Sequence, residues 1–73
     1  MSLGKERVRA GFNPSGNELV EDIKEKTAHL IDLIDQHKTK DPEQARLWAL
    51  AQTHYEDAAM WAVKAATYSA PAR

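Results

Sequence analysis

The chain has no cysteine, so neither a disulfide framework nor a thiolate zinc site can staple it, although 73 residues is short for a self-sufficient core. It also lacks an excess of one charge. Ten Lys and Arg stand against 11 Asp and Glu, a formal net charge of −1, which removes bulk attraction to DNA or to an anionic membrane. Any polyanion must therefore be held locally. The apolar runs last only a few residues, whereas a bilayer span takes roughly 20. The opening residues Met1-Ser2-Leu3-Gly4-Lys5-Glu6-Arg7 place charge where a signal peptide would be apolar. The expectation is a soluble, cytosolic protein of one small domain.

Catalytic constellations are missing as well. His29, His37 and His54 do not place two imidazoles on one helical turn, and no HExxH run occurs. His54 with Asp57 lacks a third ligand. Glu56 and Asp57 are adjacent, so on a helix they point about 100° apart and make no carboxylate dyad. There is no nucleophile elbow, phosphate loop or dinucleotide fingerprint. No catalytic residue, metal or cofactor is expected, and the chain does not read as an enzyme.

What is present is helical. Of 31 hydrophobic residues 12 are Ala, leaving 19 with substantial apolar area. At roughly 1.5–3 kcal/mol per large side chain fully buried, against about 1–2 kcal/mol of backbone entropy per residue, a monomer is marginal. Self-association is expected. Residues 1–16 read as an arm with Lys5, Arg7 and Arg9 against Glu6, ending in the turn formers Phe12-Asn13-Pro14-Ser15-Gly16. From about 17 to 37, Leu19, Val20, Ile23, Ala28, Leu30, Ile31, Leu33 and Ile34 follow three- and four-residue steps that suit an amphipathic helix. Ser15 or Asn17 can cap it. Asp41-Pro42-Glu43-Gln44 signals a second start, with a cap acid, Pro at the first helical position and Gln three residues on. That helix spans about 42–68, and 69–73 form a tail. The fold class is all-α: an antiparallel two-helix hairpin with an N-terminal arm, assembled into a homo-oligomer.

The second helix has two apolar faces. Leu47, Trp48, Ala51, Tyr55, Ala58, Ala59, Ala62 and Ala66 share one, while Leu50, Trp61 and Tyr68 lie on another, the two Trp about 140° apart. One partner helix cannot cover both. Trp61, Leu50 and Tyr68 are therefore assigned to an oligomer interface, unless the arm folds over Trp61 instead.

Anion recognition has a local basis. Pro14-Ser15-Gly16-Asn17 opens a helix, where free amides and the positive dipole end meet. Phe12 precedes this turn, and Arg7 and Arg9 supply mobile charge beside it. A base stacked on an aromatic ring gains about 1–3 kcal/mol, and a charge-assisted phosphate contact a comparable amount. The plainer alternative makes Phe12 a hydrophobic staple and Ser15 only a cap. Lys24 and Lys26 are the two bases among six acids between Glu18 and Asp35, and pairing with Glu21 or Asp22 is their ordinary role. Lys24 lies about 10 Å along the axis from Asn17, so it reaches a phosphate only if the arm folds back or a neighbouring subunit closes the site. Lys64 is a further candidate.

Phe12-Asn13-Pro14-Ser15-Gly16, then Val20, Ile23 and Lys24 leading into Thr27-Ala28 and Leu30-Ile31-Asp32, then Leu50-Ala51 with Thr53, and finally Ala58-Ala59-Met60-Trp61-Ala62-Val63-Lys64-Ala65 together resemble a phage-encoded helical-hairpin family. That family includes the anti-CBASS protein and shares its hairpin with anti-Thoeris proteins. The resemblance implies a sponge that binds cyclic oligonucleotide second messengers without cleaving them. Cyclic dinucleotides such as cGAMP are the chief ligands implied, with cyclic trinucleotides held by some relatives. It also implies a hexamer with pockets between subunits, acting in the host bacterial cytosol. By the same resemblance Phe12 stacks on a base and Lys24 meets the phosphates, with Lys26 as the alternative; Asn13, Ser15 and Thr27 are further carry-overs, and Arg9 joins them as arm charge. The rival reading is a structural or adaptor hairpin that binds a protein partner through its Trp61 face; a hydrolase acting on the same nucleotides is the third.

Overall fold

Each long helix begins where the sequence supplies an oxygen to its first orphan amides. In the computed structural model, which describes residues 2–14, 16–37 and 39–69, the chain forms α1 (Leu3–Arg7), α2 (Glu18–Asp35) and α3 (Pro42–Ala66), with no strand among the described residues. Asn17 is the cap of α2: its Oδ1 accepts from Leu19 N at 2.8 Å and Val20 N at 3.3 Å. The other candidate, Ser15, lies outside the described residues, as do residues 70–73 of the expected tail. Asp41 caps α3 by accepting from Glu43 N at 2.9 Å and Gln44 N at 3.3 Å, with Pro42 at the first position. The N–H of Asp41 itself donates to Thr39 Oγ1 at 3.1 Å. Both long helices close two residues before their expected ends. There, i→i−3 bonds tighten the chain, from His37 N to Ile34 O at 2.9 Å and from Tyr68 N to Ala65 O at 3.3 Å.

The arm departs from the expectation by containing a helix. Ser2 Oγ accepts from Lys5 N at 3.1 Å and starts α1. It ends in a Schellman arrangement, with Arg9 N donating to Glu6 O at 3.2 Å and Ala10 N to Lys5 O at 2.9 Å. The left-handed position this motif requires, usually glycine, is filled by Arg9 at φ 55°. A branched cationic side chain is thus kept at about 1–3 kcal/mol of backbone strain.

α1 lies on α2 because residue 4 has no side chain. A Cβ on Gly4 would stand 2.1 Å from the Ala28 carbonyl oxygen, so the two backbones touch. Gly4 N donates to Asp32 Oδ1 at 2.7 Å. This bond and the Ser2 hydroxyl hold the Asp32 carboxyl below its ordinary range, against a small opposing effect of desolvation. α2 and α3 run antiparallel in a register marked at both ends: Asn17 Nδ2 donates to Ala66 O at 3.4 Å, and Gln52 Nε2 to Ile31 O at 3.1 Å. At the turn, His37 stacks on Trp48 with ring centroids 5.9 Å apart. Residues 42–47 consequently overhang the end of α2.

Val8, Ala28, Ile31 and Ala59 form the core where the three helices meet, flanked by Leu3, Ala10 and Ile23. The packed face of α3 is rotated from the expected one. Gln52, Glu56 and Val63 turn inward beside Trp48, Ala51, Ala59, Ala62 and Ala66, whereas Leu47, Tyr55 and Ala58 face out. The reason is polar: Gln52 reaches a carbonyl of α2 and Glu56 pairs with the arm. The arm does not cover Trp61, which is 63% exposed, and Leu50 and Tyr68 are exposed with it. The molecule measures 55 × 25 × 13 Å. Its radius of gyration is 14.4 Å, against about 11 Å for a compact chain of this length.

Two outcomes follow for the arm. Gly4→Ala forces α1 off the Ala28 carbonyl, costing about 1–3 kcal/mol; at this size that lowers Tm by at least about 4 °C, measurable by thermal circular dichroism, and an unchanged Tm would refute the contact. The folded pKa of Asp32 is depressed, so the unfolded state binds the proton more readily. Its stabilisation is complete above the ordinary carboxyl value of 3.8 and is lost as pH falls through the lower folded value. Protection factors of the α1 amides, which remove the intrinsic slowing of exchange in acid, should therefore fall on acidification before those of α2, and Asp32→Asn should abolish this pH dependence.

Candidate functional site

Four cations and one aromatic ring are gathered where the arm crosses the open half of the hairpin. The arm supplies Arg7, Val8, Arg9 and Phe12, α2 supplies Lys24, and α3 supplies Glu56, Ala59, Met60, Val63 and Lys64; together they line a cavity of about 370 Å³. An adjoining hollow of about 290 Å³ shares Phe12, Lys24 and Val63 and adds Asn13, Pro14, Val20 and Thr67. Helix periodicity accounts for the α3 wall, since residues 56, 59, 60, 63 and 64 recur on one side at three- and four-residue steps.

Lys24 organises this corner. It is 7% exposed, and its Nζ donates to the carbonyl oxygens of Arg9, at 2.9 Å, and of Phe12. Burial, and secondarily the Arg9 charge, push its pKa below the ordinary lysine value. The ammonium lies 5.5 Å from the centre of the Phe12 ring, over which the Arg9 guanidinium also sits at 4.5 Å. Phe12 remains 52% exposed, so it is not a staple buried in the hairpin. Arg7 is engaged by α3: its Nε donates to Glu56 Oε1 at 2.7 Å and its guanidinium reaches Thr53 Oγ1 at 3.4 Å. That pair ties the arm to α3 and neutralises one charge of the cavity.

The other expected residues are placed apart. Lys26 faces solvent and pairs with Asp22 at 3.3 Å. Thr27 donates its hydroxyl to Ile23 O at 2.7 Å and is absent from the linings of both hollows. Asn13 folds the turn, accepting from Gly16 N at 3.1 Å and donating through Nδ2 to Asn17 O at 2.9 Å, while Gly16 takes φ 62°. Ser15 lies outside the described residues. Lys64 sits at the cavity with its ammonium 5.3 Å from the Trp61 ring. Arg7–Glu56 and the apolar wall of Met60 and Val63 escape sequence reading, because their roles depend on the arm folding back. The signal that could have shown it was Gly4, a glycine where a helix needs close approach.

Among the described residues no group of His, Asp and Glu could hold a metal ion, and no helix is long and apolar enough to cross a membrane. No curated protein and no solved structure matches the chain. The family model for the Acb2/Tad1 hairpin domain matches residues 4–67. This span takes in α1 from its second residue, the Phe12 turn and both long helices, and the chain belongs to that family, the anti-CBASS and anti-Thoeris sponges.

Proposed function

We propose that the protein binds cyclic oligonucleotide second messengers, cyclic dinucleotides such as cGAMP and with them cyclic trinucleotides, and holds them uncleaved in the host bacterial cytosol, so that CBASS effectors are starved of their activator. The observation that carries this reading is the cavity under Phe12. It combines a half-open aromatic face with four cations against one carboxylate, over a floor of Val8, Ala59, Met60 and Val63. An aromatic face takes a base, cations take phosphates, and the apolar floor excludes water. Sequestration needs affinity and no turnover. Each 1.4 kcal/mol of binding is a factor of ten in free messenger.

The site is assigned to a homo-oligomer, with a hexamer as the expected assembly. At about 370 Å³ the cavity of one chain is at the small end of ligand pockets, roughly 300–1,000 Å³, which suits one half of a two-fold ligand shared by two copies. The surface supports the same assignment. The chain exposes 5729 Å² where a compact monomer of its mass exposes about 4,500 Å². Leu47, Leu50 and Trp61 on α3, and Tyr68 just past its end, are large apolar side chains left uncovered.

Incubation with a cyclic dinucleotide, denaturation and mass spectrometry should return intact ligand; linear product would make the protein a hydrolase. Titration calorimetry against a panel of cyclic di- and trinucleotides should give heat with at least one, and Phe12→Ala should weaken that binding about tenfold to a hundredfold through lost stacking. Silence across the panel would favour the adaptor reading, in which the Trp61 face meets another protein. Sedimentation should show an assembly that Trp61→Ala dissociates, whereas monomers of the parent chain at working concentration would overturn the shared pocket.

A further inference from the structure

The cations of the cavity are not equivalent. Lys24 has three N–H donors, of which two are committed to the carbonyl oxygens of Arg9 and Phe12, and almost none of its surface is open. Arg7 is engaged by Glu56. Among the described residues Arg9 and Lys64 make no ion pair and no hydrogen bond through their side chains; each rests on an aromatic face, Arg9 on Phe12 at 4.5 Å and Lys64 on Trp61 at 5.3 Å. Such resting places are weak and leave the charge available. Arg9 also holds the left-handed position where glycine would fold with less strain. The arm keeps a guanidinium there against the local preference of its backbone.

We propose that Arg9 and Lys64 are the phosphate-binding pair of this cavity, reaching across it from the arm and from α3, and that Lys24 is a positioning residue that holds the arm by its carbonyls. The proposal deepens the sponge reading and rests on it for the identity of the anion. The guanidinium leaves the face of Phe12 as a base stacks there, so one movement frees the platform and delivers charge to the phosphate. Lys24 stays in place throughout and fixes the backbone from which both Arg9 and Phe12 project.

The test compares Arg9→Gly, Lys64→Met and Lys24→Met in the full chain. In the ligand-free protein, Lys24→Met should raise amide exchange at Ala10 and Phe12 at least tenfold, while Lys64→Met leaves it unchanged and Arg9→Gly, which suits the left-handed position, keeps the melting temperature at or above that of the parent. Titrated with a cyclic dinucleotide at increasing NaCl, Arg9→Gly and Lys64→Met should each lose about tenfold in affinity and show a flatter salt dependence, with Lys64→Arg restoring both. Lys24→Met should lose affinity yet keep the parent's salt dependence. Parent affinity in Lys64→Met, or a flattened salt dependence in Lys24→Met with unaltered amide exchange, would overturn the assignment. Should the parent chain take up no cyclic nucleotide, the sponge reading falls by itself. Inorganic pyrophosphate then decides the pair: shifts of both the Arg9 and the Lys64 side-chain resonances in the parent chain, with the Arg9 shift diminished in Lys64→Met, uphold it, and a shift missing at either residue in the parent rejects it.

Discussion

The contact between Gly4 and the backbone of Ala28 sets the position of everything that follows it in the arm. With no Cβ in the way, α1 settles directly on α2, and the Gly4 amide finds Asp32. From that anchor Val8 drops into the core beside Ile31 and Ala59, and the chain turns at Arg9. Lys24 then captures the carbonyls of Arg9 and Phe12, and Arg7 reaches over to Glu56. The aromatic platform is thus held from α2 and its cavity walled by α3, although the arm itself has only one short helix.

The core is correspondingly small. Among the described residues five hydrophobic ones are buried, whereas ten large ones remain exposed on α2, on α3 and beside them. A chain of this composition satisfies its polar groups internally and leaves large apolar side chains to be covered by something else. The chain belongs to the Acb2/Tad1 hairpin family, which is known for binding ligands.

Much of the frame was legible in the sequence. Asn17 and Asp41 announce their helices by side-chain chemistry, and both act as caps. Of the apolar positions spaced along α2, Val20, Ala28 and Ile31 are inside, whereas Leu19, Leu30 and Leu33 are exposed. The inward face of α3 was read less well, since Gln52 and Glu56 face inward to meet partners that no periodicity reveals. The helix in the arm escaped notice because five residues are too few for a pattern. At the candidate site, Phe12 and Lys24 were singled out from residues and resemblance and do lie together. Spacing left Lys24 and Lys26 both open as the phosphate contact, although on a helix they point about 160° apart. Only the fold shows that one faces the arm and the other the solvent.

The register of the hairpin has a bearing on how the chain tolerates change. The hollow beneath Phe12 lies on the half remote from the connection between α2 and α3. Near that connection His37 stacks on Trp48, and the first turns of α3 run on past the last turn of α2. Lengthening the link, or grafting a fluorophore there, would act on an overhanging rod far from the candidate site, so the bend is the natural handle by which to hold this molecule.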